Sequence, residues 1–321
     1  MKTTDQNTPT QVPVYCGIDI AKDHLDADLL GKVCRFTNSP QGFAELQVQL
    51  PAGCHLVMEA TGHYHLCLVA YAHQKGIALS VINPAWIKSF RKSGGKRAKT
   101  DPIDAKVITA YAEYHRPAPA QPCAASIVAM REMYAVRESL VTMRVALENQ
   151  LNGLTDKALC SQVRAQIRTL LKHTEKIDLR IEDTIGGDEQ LKAKSDVLRQ
   201  NKGVGPQCAV TLLCELPELG TIGRKSVAAL AGLAPFNNDS GKFKGKRRIA
   251  GGRKKVRKAL YMAALSASRY NPAFARVKVK MRAEGKPGKV ILIAIARRLL
   301  VILNAQIRDH LAQGQAQARA A

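Results

Sequence analysis

Apolar side chains fall on every second residue at Val14, Cys16, Ile18 and Ile20, and two further extended runs, Leu25 to Leu30 and Val33 to Phe36, follow after short polar breaks. A period of two predicts three sequential strands. The pattern then changes to a helix from Pro40 to Leu50, a strand His55 to Met58, a helix from about Thr61 to Lys75, and a strand Ala78 to Ile82. Strands first and alternating elements afterwards predict an α/β fold, a mixed sheet with helices covering it. Residues 92–99 carry no apolar period and read as a basic loop, and a helix is expected from near Asp101 to about His115. The Pro-rich run Arg116 to Pro122 is the clearest boundary, closing a first domain at about residue 120.

Beyond it, Met133, Leu140, Leu147 and Leu154 recur every seven residues, and a second stripe runs through Ile167, Leu170, Leu171, Thr174, Ile177 and Ile181. Two long helices over 121–196 follow, either coiled between subunits or packed on each other. Gln150 stands where a coiled coil wants an apolar residue. Near residue 200 the string Asn201-Lys-Gly-Val-Gly-Pro206 is a tight glycine turn entering an apolar helix. It suits a helix-hairpin-helix element in which Gly203 and Gly205 present backbone N–H groups to a phosphate, and equally an ordinary turn between helices. The last region, 197–321, is expected to be mainly helical. Its apolar stretch Val290 to Leu303 is interrupted by Arg297 and Arg298, which favours a packed helix with a basic face over a membrane span.

Charge separates these regions. The chain has 49 Lys and Arg against 26 Asp and Glu, a net charge of +23, yet residues 201–321 alone hold 24 basic and 5 acidic side chains. A polyanion partner, DNA or RNA, accounts for so local an excess better than solubility does. Between residues 242 and 258 stand Lys242, Lys244, Lys246, Arg247, Arg248, Arg253, Lys254, Lys255, Arg257 and Lys258 with no acid among them, all candidates for phosphate contact, as are Lys92, Lys96, Arg97 and Lys99 of the earlier loop. Aromatic residues are sparse there, so base stacking is not their obvious role. Eight cysteines without a C-x-x-C pair read as reduced thiols, and the cytoplasm is the expected location.

Four carboxylates stand out. Asp19 and Glu59 each lie near the end of an apolar strand, where an acid is costly unless compensated. Asp101 and Asp104, in Lys99-Thr-Asp-Pro-Ile-Asp-Ala105, share one face at the start of a helix. That pair also fits plain capping, with Asp101 as N-cap, Pro102 at the first helical position and Asp104 facing the helix dipole. Taken together, four oxygen donors suit two Mg²⁺ ions, which generate a nucleophile and stabilise the leaving oxygen of a phosphodiester.

With Gly17-Ile-Asp-Ile-Ala-Lys22, Met58-Glu-Ala-Thr-Gly62, Lys99-Thr-Asp-Pro-Ile-Asp-Ala105, Gly203-Val-Gly-Pro206, Ala231-Gly-Leu-Ala-Pro235 and Asp239-Ser-Gly241 in order, the chain resembles the DEDD transposases of bacterial insertion sequences, the family numbered one hundred and ten. The resemblance spans nearly the whole chain. It implies a RuvC-like first domain with a ribonuclease H fold, Asp19, Glu59, Asp101 and Asp104 as metal-binding acids, and Ser240 of the C-terminal domain as a second catalytic element. It also implies a recombinase that joins element and target DNA, guided by a structured RNA, working as a homo-oligomer, dimer or tetramer.

Ser240 itself stands in Asn237-Asn-Asp-Ser-Gly-Lys242, a turn-forming string that would expose its hydroxyl. A serine hydroxyl is a weak nucleophile and needs a metal or a base to activate it. Three other classes compete. A junction-resolving nuclease would use the acids alone and leave free ends; an actin-like ATPase would favour Gly after the first Asp, where this chain has Ile20; an RNA-binding scaffold would need no acid at all.

Overall fold

The computed structural model describes residues 14–60, 62, 64–93, 101–236, 239–240, 243–245 and 247–320, with the backbone alone at 101–103, 239–240, 243–244, 315 and 317–320. It divides into two units, Met1–Pro122 and Cys123–Ala321.

The first unit is built on β1 (Tyr15–Ile20), β2 (His24–Leu29), β3 (Lys32–Thr37), β4 (His55–Glu59) and β5 (Ala78–Ile82). The sheet order is β3-β2-β1-β4-β5, with β1 antiparallel to β2, β2 antiparallel to β3, and β4 and β5 running parallel to β1. The antiparallel arm is a meander of tight turns: Leu30 and Gly31 both take positive φ, and the Asp28 carboxylate accepts a hydrogen bond from Gly31 N at 3.0 Å. The parallel arm needs crossovers, supplied by α1 (Pro40–Gln49) and α2 (Leu66–Gln74). Ser39 caps α1 and Pro40 opens it. The helix expected from Thr61 starts at Leu66 instead, since Gly62 takes φ +53 and breaks the chain direction there; Thr61 itself lies outside the described residues.

Alternation along each strand sorts the side chains to two faces. Cys16, Ile18, Ile20, Leu25, Leu56 and Met58 bury against Phe43 and Leu46 of α1 and Leu68 of α2. Tyr15, Val57 and Ile82 bury on the opposite face against α3 (Pro84–Ser93) and α4 (Asp101–His115) through Ile87, Ile108 and Tyr111. Helix α3 is absent from the sequence expectation, although Asn83 accepts a hydrogen bond from Ala85 N and Pro84 opens the helix, both ordinary start signals.

Gly17 sets how closely α4 sits on the sheet. A Cβ built there would lie 2.3 Å from Ala105 O and 2.4 Å from Thr109 N, and Gly17 N donates to Thr109 Oγ1 at 2.9 Å. Because the obstructing atoms are backbone, the Gly17→Ala variant is expected to lose about 3 kcal/mol, the upper part of the overpacking range. Chemical denaturation of wild type and variant measures this, and an unchanged midpoint would mean that α4 is free to shift.

The second unit is helical. Helices α5 (Ala125–Leu151) and α6 (Lys157–Gly186) pack along each other, and α7 (Glu189–Arg199), α8 (Pro206–Glu215), α9 (Arg224–Leu230), α10 (Lys254–Tyr270), α11 (Pro272–Ala283) and α12 (Gly288–Ala320) form a bundle around Leu212, Leu260, Ile295, Leu299 and Leu303. Gly288–Gly314 is long and apolar enough to cross a membrane by length and composition; here Ile291, Ile295, Leu299, Leu300 and Leu303 are core of the bundle. Between α9 and α10 the chain makes two nested two-stranded ribbons, β6 (Pro235–Phe236) with β9 (Arg248–Ile249) and β7 (Asp239–Ser240) with β8 (Phe243–Lys244).

Candidate active site and nucleic-acid interface

Asp19 and Glu59 lie on the α4 face of the sheet, and Asp104 belongs to the first turn of α4. Asp19 and Glu59 each stand one residue beyond the paired positions Ile18 and Met58 of the neighbouring parallel strands β1 and β4. Alternation puts Asp19 on the face of Gly17 and Tyr15, and Glu59 on that of Val57. Both are partly buried and both have interaction partners. Helix α4 runs opposite to β1: Tyr15 packs near Tyr111 and Ala112, and Gly17 against Ala105 and Thr109. Its first turn, Asp101 to Asp104, therefore lies over the Asp19 end of the strand.

Asp104 is buried, and its Oδ1 lies 2.6 Å from a guanidinium nitrogen of Arg91, on the last turn of α3. The side chain of Asp101 lies outside the described atoms. Among the described residues, no group of three or more His, Cys, Asp or Glu is assembled closely enough to hold a metal ion. The donor chemistry of Asp19, Glu59 and Asp104 nonetheless suits a hard divalent cation. Asp104 Oδ1 makes no well-aligned hydrogen bond, its close contact being the ion pair with Arg91.

The sequence reading missed one member of this row. Asp26 is Asp19's direct cross-strand partner, and Arg35 is in turn opposite Asp26. Arg35 Nε and Nη2 donate to the two Asp26 oxygens at 2.8 Å each, and Asp26 is 3% exposed. Like charges directly opposite each other destabilise a sheet, and the Arg35 fork offsets one of them. The alternation Leu25, Ala27, Leu29 carried the signal, because it sends Asp26 and Asp28 to the same face as Asp19.

In the second unit, the backbone of Ser240 pairs with Phe243 and that of Asp239 with Lys244, so Ser240 stands on an arm of the β7–β8 ribbon. The hairpin is anchored at its base. Gly232 takes φ +66 and packs on Gly251, and Arg257 Nη1 donates to Gly251 O at 2.6 Å and Gly232 O at 3.3 Å. Arg257 thus ties together the two ends of the segment that carries the serine.

The predicted phosphate-binding cations divide into groups. Lys96, Arg97, Lys99, Lys242 and Lys246 lie outside the described residues, and only the backbone of Lys244 is described. Lys92, Lys254 and Lys258 are exposed or edge positions on helices. Arg253 is committed to Glu218, with bonds of 2.5 and 2.6 Å, and Lys255 to Glu215 at 2.7 Å. Burial pushes the Glu218 carboxyl up, and the Arg253 guanidinium outweighs it, holding the group below its ordinary range. Arg247 and Arg248 line a groove of about 1150 Å³ together with Lys289, Arg297, Arg298 and Tyr261, over an apolar floor from α12. The sequence reading named Arg297 and Arg298 only as a basic face and omitted Lys289.

Gly203, with φ +106, is fixed by packing: a Cβ there would meet Ala263 O and Ala267 N of α10 at 2.8 and 2.7 Å. Gly205 by contrast opens on space at the N-terminus of α8, beside a pocket of about 290 Å³ that Arg137, Lys255 and Lys258 also line.

Residues 16–159 match the IS110-type DEDD family described as transposase, and residues 195–278 match the transposase family IS116/IS110/IS902. The pilin gene-inverting protein of Moraxella bovis is 32% identical over 318 residues, covering 92% of this chain and 96% of that one, and its counterpart in Moraxella lacunata matches equally. A 43.6 kDa protein of the insertion element IS110 from Streptomyces coelicolor is 30% identical over 36% of this chain. An acid-lined mixed sheet and a basic helical unit, matched over nearly their whole length in this way, make the chain a member of the IS110 family of transposases, and so a DNA recombinase.

Proposed function

We propose that the recombinase cuts and rejoins element and target DNA by two cooperating devices, the carboxylate set Asp19, Glu59, Asp101 and Asp104 and the nucleophile Ser240. The observation that carries the first is that Asp19 and Glu59 stand side by side on parallel strands, on the face over which α4 lays its first turn. The strand order β3-β2-β1-β4-β5 is in keeping with a RuvC-like, ribonuclease H-type sheet. The four acids would hold Mg²⁺, two ions in all, which when bound polarise the phosphodiester and lower the pKa of an attacking oxygen. Asp26 and Arg35 keep the neighbouring strand electrically balanced.

Ser240 Oγ attacks the phosphorus, and its proton passes to a nearby base. The bond from phosphorus to the departing sugar oxygen breaks, and that oxygen takes up a proton. The phosphoserine ester conserves the diester bond energy, so attack by a second sugar hydroxyl rejoins DNA and frees the serine. The serine and the acids belong to separate units of the chain. A second copy finds apolar purchase on α5 and α6, where Val136, Met143 and Leu179 are exposed. The cations around Arg247, Arg248, Lys254 and Lys258, joined by Arg297 and Arg298, bind the phosphates of DNA and of the guide RNA that the family resemblance implies.

Strand exchange between circular element DNA and a target, with Mg²⁺ and co-expressed element RNA, tests this reading. Joined products dependent on both are expected. Cleaved, unjoined ends would favour a junction-resolving nuclease, and no change in DNA at all a nucleic-acid scaffold.

A further inference from the structure

Arg91 belongs to none of the groups above. It stands at the end of α3, a helix held on α4 by Ile87 in the core and by Phe90, whose ring meets Tyr111 edge-on at 5.5 Å. From there its guanidinium reaches Asp104 Oδ1 at 2.6 Å, with the two side chains only 18% and 11% exposed. An ion pair so enclosed is ordinarily completed by aligned hydrogen bonds, since desolvation is repaid no other way. Here Asp104 Oδ1 and Arg91 Nε are both buried without such a bond. The contact is close in charge and poor in alignment.

We infer that Arg91 is an internal counter-cation for Asp104, occupying that carboxylate in the metal-free protein and competing with the divalent ion for it. The inference rests on the proposed metal-binding role of Asp104. Three physical points carry it. A carboxylate as enclosed as that of Asp104 needs a positive charge when no metal is near, and the Arg91 guanidinium supplies one at 2.6 Å. A guanidinium is permanently charged, so the protection does not depend on pH. A misaligned pair surrenders little hydrogen-bond energy when a divalent ion replaces it. Arg91 is therefore a positioning residue, setting the concentration at which the acids take metal, and it does so from the helix that leads into the basic residues 92–99.

Mg²⁺ titration of the full-length protein, by calorimetry and by thermal melting, tests this on wild type, Arg91→Ala and Arg91→Lys. A neighbouring guanidinium moves a carboxylate's proton affinity by about one to three decades, and a shift at the lower end carried over to the divalent ion has Arg91→Ala binding Mg²⁺ about tenfold more tightly than wild type. It should also melt lower without metal and gain more on Mg²⁺ addition. Arg91→Lys keeps the charge and is expected to stay within about twofold of wild type. If Arg91→Ala does not fold, Arg91→Gln, uncharged but of similar length, takes its place with the same expected tightening. Equal or weaker Mg²⁺ binding in the uncharged variants overturns the inference while leaving the metal reading intact, provided that wild-type binding is lost in Glu59→Gln. Absence of Mg²⁺ binding in wild type overturns both.

Discussion

Replacing Asp19 by Asn is expected to abolish strand exchange while leaving the fold and DNA binding in place. Asn keeps the shape of the side chain and removes the charge, so β1 still pairs with β2 and β4 and Gly17 still admits α4. What goes is one of the donors able to hold a hard cation beside the reacting phosphate. Loss of a single group that stabilises developing charge typically costs about 10² to 10³ in rate, and a shared metal site should sit at or above the upper figure. Duplex binding, proposed to rest on the basic second unit, should change by less than about twofold. Measured together, exchange and binding separate an enzyme from a scaffold: a scaffold would lose neither.

The second large effect is expected at Ser240. With the hydroxyl removed, Ser240→Ala should form no covalent protein–DNA species and should not rejoin ends, a loss of about 10³-fold or more, as for other nucleophiles that act as part of a unit. Arg257 supplies the control. It pins Gly232 to Gly251 at the base of the hairpin, so Arg257→Ala should lower the rate of adduct formation without removing the attacking group. A residual adduct in that variant and none in Ser240→Ala distinguishes positioning from chemistry.

The sheet was readable from the sequence because period-two alternation is a local property: Cys16, Ile18 and Ile20 announce the strand on their own. The same alternation made Asp19 and Glu59 visible as acids out of place. Asp26 escaped because its neighbours looked like an ordinary half-exposed strand, and only the register with β1 and β3 makes it a buried member of the row. Helix α3 escaped because few apolar side chains, Ile87 and Phe90 chief among them, mark its buried side, and a run of Lys and Arg follows directly. Arg91 could not be foreseen, since its partner lies thirteen residues on, at the start of another helix. For Gly203 the sequence leaves a phosphate cradle and an ordinary turn between helices equally open, and tertiary packing against α10 gives it a sufficient structural reason. Among the cations, charge density was plain, yet Arg253 and Lys255 find carboxylates, Glu218 and Glu215, some 35 to 40 positions away.

The central claim is that cutting and rejoining pass through Ser240, and peptide mapping of trapped reaction intermediates tests it most directly. Reactions quenched by denaturation during strand exchange, then digested with nuclease and protease, should yield a peptide containing Ser240 that carries a nucleotide through a phosphoserine ester. Cleaved DNA with free ends and no nucleotide on any peptide, or a nucleotide attached to another residue, would contradict it.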